Sequence, residues 1–234
     1  MKKDNINRKK YKENFYYKYL LKTNTFLKRT GFLITGKWLY YGALIGIVTA
    51  LGGYLFMLSI KMVKNVFLIN LCGFSGYEIY PLLINGGFKT YIIIIIPAFG
   101  ALISGILSEK FAPETKGHGT DHVIKVFHKE NGNMNILTSI IKLISTAFVL
   151  GTGGSAGREG PIAQIGAGFG SFLGKRLNVS VKERRIMLVS GASAGIAAIF
   201  GAPLGGALFG PEVLYKNHEL ESEAIIPSTV SYTH

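Results

Sequence analysis

Past residue 108 the apolar runs become short and are broken by glycine-rich turns. They occupy residues 123–127, 136–150, 162–173, 186–200 and 204–215. A helix needs about 20 apolar residues to cross a hydrocarbon core of about 30 Å, so most of these runs cannot span a bilayer upright. Nor can the turns between them face lipid, where each unpaired backbone group costs several kcal/mol. Half-helices that meet inside the protein resolve the conflict, and such broken helices mark binding sites near the midplane of transporters.

The rest of the chain supports a membrane setting. Residues 38–69 form a long apolar segment with Lys61 and Lys64 near its far end, long enough that it must tilt or protrude. Residues 91–107 form a second, with isoleucines at 92–96 followed by Pro97. Residues 70–90, rich in Gly, Ser, Asn and Pro, read as a loop on the outer side. Only 17% of the 234 residues are charged, against about 25% in soluble domains. The 30 glycines suit close helix approach in a polytopic, all-α membrane protein.

The net charge of +13 is concentrated at one end. Residues 1–40 hold 11 Lys/Arg and 2 acids, hence 11 − 2 = +9. A basic segment before the first apolar run places the N-terminus in the cytoplasm. An RNA-binding arm is the weaker reading, because no soluble nucleic-acid module follows. Residues 1–36 therefore read as a basic cytoplasmic segment, either an amphipathic surface helix or a disordered tail, and 37–234 as the transmembrane domain. The segment is too long and polar to be a secretory signal. Cys72 stands alone, which excludes an internal disulfide. A basic loop over 175–185 gives a second cytoplasmic anchor.

Chemistry concentrates at Gly157-Arg158-Glu159-Gly160-Pro161. Proline suits the first turn of a helix, and the glycines let backbone N–H groups face a ligand. The positive end of that helix attracts an anion, and the Glu159 carboxylate can take the anion's place. A second motif, Lys116-Gly117-His118-Gly119-Thr120-Asp121, precedes the short run at 123–127. His118 can donate an N–H and become cationic in mild acid. His118 and His122, four apart, admit a metal-site reading that lacks further ligands, and Asp121 admits a plain helix-capping role. Lys142 either raises the potential felt by a passing anion or snorkels to the interface. No Gly-Lys-Ser/Thr follows residues 151–161, so a phosphate cradle is not indicated.

Gly-Arg-Glu-Gly-Pro is the signature of the chloride channel and chloride/proton exchanger (CLC) family, and residues 38–218 resemble the first half of its inverted-repeat fold. The resemblance implies anion transport rather than enzymatic catalysis, with no organic cofactor and no nucleic acid. It implies Glu159 as the external gate, whose ionised side chain blocks the anion path. Gly117, His118, Gly119, Gly157, Arg158, Gly160 and Pro161 match the anion-binding motifs, with His118 where the family has serine and Asp121 where it has proline. A lysine at the place of Lys142, 17 residues before Glu159, is common in the family. Residues 191–209 match a helix, turn and helix built from small residues. Glu212 matches the first of a glutamate pair, while Val213 stands at the proton-relay position, which leaves proton coupling open.

The family's second-half ligands, a Gly-x-Phe-x-Pro helix start and a late tyrosine, have no counterpart in the 234 residues. This leaves a truncated product, a fragment or one part of a split protein open. The expected partners are chloride or another small anion, protons if coupling exists, the bilayer of the inner (plasma) membrane, and a second copy or second half. Alone, half the site is expected to transport poorly. A non-transporting remnant or assembly partner is the alternative reading.

Overall fold

The computed structural model describes residues 32–73 and 88–215. The basic N-terminal tail, most of the expected loop at 70–90 and everything after Tyr215 lie outside the described residues. Two compact units divide the chain, Met1–Tyr40 and Tyr41–His234. The described part of the first is the opening of helix α1 (Phe32–Lys64).

Among the described residues the second unit contains helices and no strand. Helix α1 passes into a wider π-helical turn, Asn65–Leu71. Helix α2 (Phe88–Phe111) carries Pro97 inside it. A 3-10 turn, Pro113–Thr115, leads to the short helix α3 (Thr120–Lys129). Then come α4 (Ile136–Gly151), α5 (Glu159–Arg176), α6 (Val181–Phe200) and α7 (Pro203–Leu214). Every short apolar run in the sequence is thus a helix, with ends shifted by five residues at most. Two stretches, Gly36–Leu71 and Ile92–Phe111, are long and apolar enough to cross a membrane.

Helix α4 is turned inside out relative to a helix of a soluble protein. Its polar residues Thr138, Ser139, Lys142, Ser145 and Thr146 are buried, while Leu137, Ile140 and Ile144 are exposed. Helix α2 behaves alike: Ile94, Ile95, Phe99, Leu102 and Ile106 face outward and Ser108 is buried. In water such an arrangement wastes apolar surface and desolvates polar groups. In lipid it is the stable one, because the protein interior is the only place where polar groups find partners.

Helix α5 forms the centre. Each residue from 160 to 168 is buried. It meets α6 backbone to backbone: a Cβ on Gly166 would strike the Gly191 carbonyl, and one on Gly191 would strike the Gly166 carbonyl. Gly170 lies equally tight against the Met187 carbonyl. Such approach is possible only without side chains, and it supplies the dispersion contacts that drive association in lipid. On its other flanks α5 receives Ser139 of α4 against Gly168, and its own Phe169 fills the notch at Gly52 of α1.

The turn after α3 locks this assembly at its far end. Asn131, in the left-handed region at φ 54°, offers its carbonyl to Arg184 Nε at 3.1 Å and Nη2 at 3.0 Å. Arg185 Nη2 donates to Asn131 Oδ1 at 3.2 Å. Ser171 Oγ donates to the Gly132 carbonyl at 2.7 Å and accepts from the Met134 N–H at 2.8 Å.

The basic loop expected over 175–185 is shorter than that. Lys175 and Arg176 complete the last turn of α5, while Lys182, Arg184 and Arg185 belong to the start of α6. A capping box restarts the chain as helix at once, the Ser180 hydroxyl accepting from the Glu183 N–H and the Glu183 carboxylate from the Ser180 N–H. Helix α7 continues through Pro211 to Leu214.

Gly191→Ala should lower unfolding free energy by about 1–3 kcal/mol through overpacking against backbone that cannot yield. Gly205→Ala should be neutral within about 0.5 kcal/mol, since its added Cβ lies 3.7 Å from Ala202. Thermal unfolding of both variants in detergent checks the contrast; equal melting temperatures would refute the crossing as the source of stability.

Candidate functional site

A cavity of about 560 Å³ opens between α2, α4, the turn before α3 and the start of α5. Four hydroxyl-bearing residues of α2 and α4, Ser104, Ser108, Ser145 and Thr146, line it. So do Lys142, Gly117 and His118, and from the start of α5 Gly157 and Pro161. The two glycine-rich motifs therefore meet at one place.

Their meeting depends on absent side chains. Gly119, at φ 101°, caps the start of α3. A Cβ there would lie 2.8 Å from the Gly160 carbonyl oxygen. A Cβ on Gly160 would collide with the carbonyl of His118 and with its Nδ1. Glycine at both positions lets the turn press directly on the first turn of α5. Both residues are buried behind the cavity wall.

Helix α5 starts at Glu159, with Arg158 as its cap residue and Pro161 in the first turn. The first intrahelical donor is the Ile162 N–H, bonded to the Arg158 carbonyl at 3.0 Å. The earlier amides of the turn remain without a partner in the helix, and proline lacks one. Arg158 and Glu159 are exposed, and neither is among the residues that line the cavity. The Glu159 carboxylate folds back over Gly157, where any Cβ would collide with it.

Lys142 does not snorkel. It is 5% exposed, and its ammonium donates to the Thr115 and Gly117 carbonyls, both at 2.8 Å. These bonds tie the turn to α4 and leave a positive charge in the cavity wall. Lys116 pairs with Glu109 at the mouth, and both side chains are largely exposed. Such a surface pair contributes little to stability.

Two other expectations are corrected. His118 lies in the turn, outside α3, so His118 and His122 do not share a helix face. Asp121 sits in the first turn without capping; Gly119 holds the cap position. Glu212 and Val213 are exposed on α7 and do not line the cavity.

Sequence reasoning missed Gln164. Its side chain is fully buried, and Nε2 donates to the Glu114 carbonyl at 3.1 Å and meets His122 Nδ1 at 3.0 Å. The signal was present as a lone amide three residues after Pro161, inside an otherwise small and apolar helix. The hydroxyl row was also legible, as Ser and Thr on one face of two lipid-facing helices.

Comparison with known proteins finds a family and several similar chains. The family described as "Voltage gated chloride channel" matches residues 100–233. An H(+)/Cl(-) exchange transporter ClcA of Citrobacter koseri is 31% identical over 170 residues, covering 71% of this chain and 34% of that protein. An uncharacterized protein of Methanocaldococcus jannaschii is 29% identical over 194 residues, covering 80% of this chain and 47% of its own. The crystal structure of a slow cyanobacterial Cl-/H+ antiporter superposes with a TM-score of 0.60 at 24% identity, over 84% of this chain and 43% of that one. The chain thus spans less than half the length of these proteins.

Lys142→Met should strip both turn carbonyls of their donor, a loss of about 1–3 kcal/mol per buried acceptor left unpaired. Hydrogen exchange of the amides at 115–119 should accelerate, while that of α6 stays slow. Unchanged exchange in the turn would show that α5 alone holds it.

Proposed function

The chain belongs to the voltage-gated chloride channel family, and from that membership we propose that it contributes one wall of a transmembrane path for chloride or a similar small anion. The observation that carries this reading is the convergence of two glycine-rich helix starts and one buried ammonium on a single cavity. Helix N-termini carry partial positive charge, and a low-dielectric wall focuses that potential on a mobile anion. Glu159 is the gate in this reading. Its carboxylate already lies over Gly157, at the positive end of α5, where an anion would compete with it.

His118 replaces the family's serine at the turn. A neutral imidazole donates one N–H, and an imidazolium donates two and adds charge. Either form offers an anion an N–H donor where the family's serine offers a hydroxyl. With valine at the relay position, proton coupling through residue 213 is not part of the proposal.

The membrane in question is the inner (plasma) membrane, with the N-terminus cytoplasmic in accord with the basic tail. The relatives' greater length makes the opposite wall the contribution of further protein, whether a second copy of this chain or another segment.

Anion efflux from liposomes holding the purified chain tests the gate. Protonation removes the carboxylate's charge, so efflux should rise as pH falls. Glu159→Gln is neutral at every pH and should give efflux that is high and flat. The same pH dependence in Glu159→Gln would remove Glu159 from the gate. No efflux from folded protein would show that one wall does not make a path.

His118→Leu removes the ring's N–H donor from the cavity lining and should weaken apparent chloride affinity. An unchanged affinity would exclude His118 from the anion's surroundings.

A further inference from the structure

Behind the cavity wall, Gln164 presents a hydrogen-bonding arrangement that anion binding does not use. Its Nε2 lies 3.1 Å from the Glu114 carbonyl, which can only accept, so the amide nitrogen must be on that side. The second N–H of the same group meets His122 Nδ1 at 3.0 Å. Both amide protons are thereby used, and His122 Nδ1 has to be the acceptor. Its neutral proton sits on Nε2. On the other side, Gln164 Oε1 is fully buried with no hydrogen-bond partner. A buried acceptor without a donor is costly, and this one faces the space beside Gly119 that also borders the Gly160 carbonyl.

We propose that His122 is a proton-binding site within the helical domain, and that Gln164 transmits its protonation to the turn carrying His118. When Nδ1 takes a proton from water, both ring nitrogens become donors. Nδ1–H then opposes the amide N–H. A half-turn of the amide removes the conflict: Oε1 accepts from Nδ1–H and gains the partner it lacks. The NH2 group moves to the side of Gly119, beside the Gly160 carbonyl.

The cost is the bond to Glu114. That residue belongs to the turn Pro113–Thr115, which leads directly into Lys116, Gly117 and His118. Protonation therefore breaks the Gln164 hydrogen bond to the turn, while the bonds from Lys142 to Thr115 and Gly117 remain. Burial works against the imidazolium most strongly; of the charges around His122, Glu130 at the end of α3 and Glu114 in the turn attract it, and Lys125 of α3 and Lys142 of α4 repel it. As a control on the anion path this device rests on the function proposed above; as a proton site it stands apart from transport.

The test is nitrogen NMR on the full 234-residue chain in lipid bilayers, with 15N-labelled histidine and glutamine, from about pH 8 to about pH 5. A through-space correlation between Gln164 Nε2 and His122 Nδ1 assigns the pair without a variant. The expected result is a neutral His122 protonated on Nε2, and Gln164 amide signals that shift with the same midpoint as the imidazole. Amides at 115–119 should exchange faster below that midpoint. A neutral His122 protonated on Nδ1, or an imidazole that titrates while the amide stays still, would overturn the inference.

Gln164→Met should let neutral His122 populate both tautomers and should uncouple the turn's exchange from pH; a turn that still follows the same midpoint would count against it. Where that variant does not fold, the titration of the unmodified chain decides. A moving amide in a chain whose Glu159→Gln variant keeps the parent's pH dependence of efflux would support this inference while overturning the gate reading, so the two failures separate.

Discussion

Lys142 places a charge where lipid-embedded helices rarely carry one, and the turn from Thr115 to Gly119 is built around it. The two problems solve each other. An irregular turn inside a membrane has carbonyls that no ladder satisfies, and a buried ammonium has donors that hydrocarbon cannot accept. Joined at 2.8 Å, the Thr115 and Gly117 carbonyls and the ammonium meet both needs. The rest of the cavity follows from that joint. With the turn fixed to α4, Gly119 is set against Gly160, and the starts of α3 and α5 are brought to one place.

The glycine crossing of α5 and α6 provides the rigid part to which this joint refers. Backbone contact at Gly166, Gly170 and Gly191 leaves no side chain that could rotate and let the helices slip. The direction of α5 is therefore set by main-chain shape, and with it the position of the Glu159 carboxylate. At the opposite end, the two arginines gripping Asn131 stop α3 and α4 from swinging as a pair. Polar bonds thus hold the turns while close packing holds the helices.

Much of this was legible in the sequence. Glycine runs flanking Pro161 and His118 announced helix starts, because few other uses exist for such residues between apolar runs. Lys142 stood out as a single charge within an apolar segment, but the choice between snorkelling and burial needed the fold, since both begin from the same sequence. Gln164 escaped notice for a different reason. An amide in a small-residue helix carries no periodic signal, and its meaning comes from His122 and Glu114, 42 and 50 residues away. The span of the basic loop was misjudged because Lys and Arg favour helix ends as readily as turns. The Ser180 and Glu183 capping box, three residues apart, was the local cue that α6 begins earlier.

The inside-out character of α4 bears on how the chain enters a bilayer during synthesis. Helices α1 and α2 are apolar enough to partition singly. Helix α4 carries a central lysine, which costs about 2.5–3.5 kcal/mol for a lone segment leaving the translocon. Its lysine finds acceptors in the Thr115–Gly119 turn, which is made before it, but the rest of its polar face, Ser139 among it, meets α5, which is made after it. Insertion of α4 is therefore conditional on chain not yet made when it emerges, and the segment must wait at the interface or in the protein-conducting pore until α5 follows. Biogenesis of this fold proceeds by cohorts of helices, with the ribosome running ahead of the membrane by at least one helix.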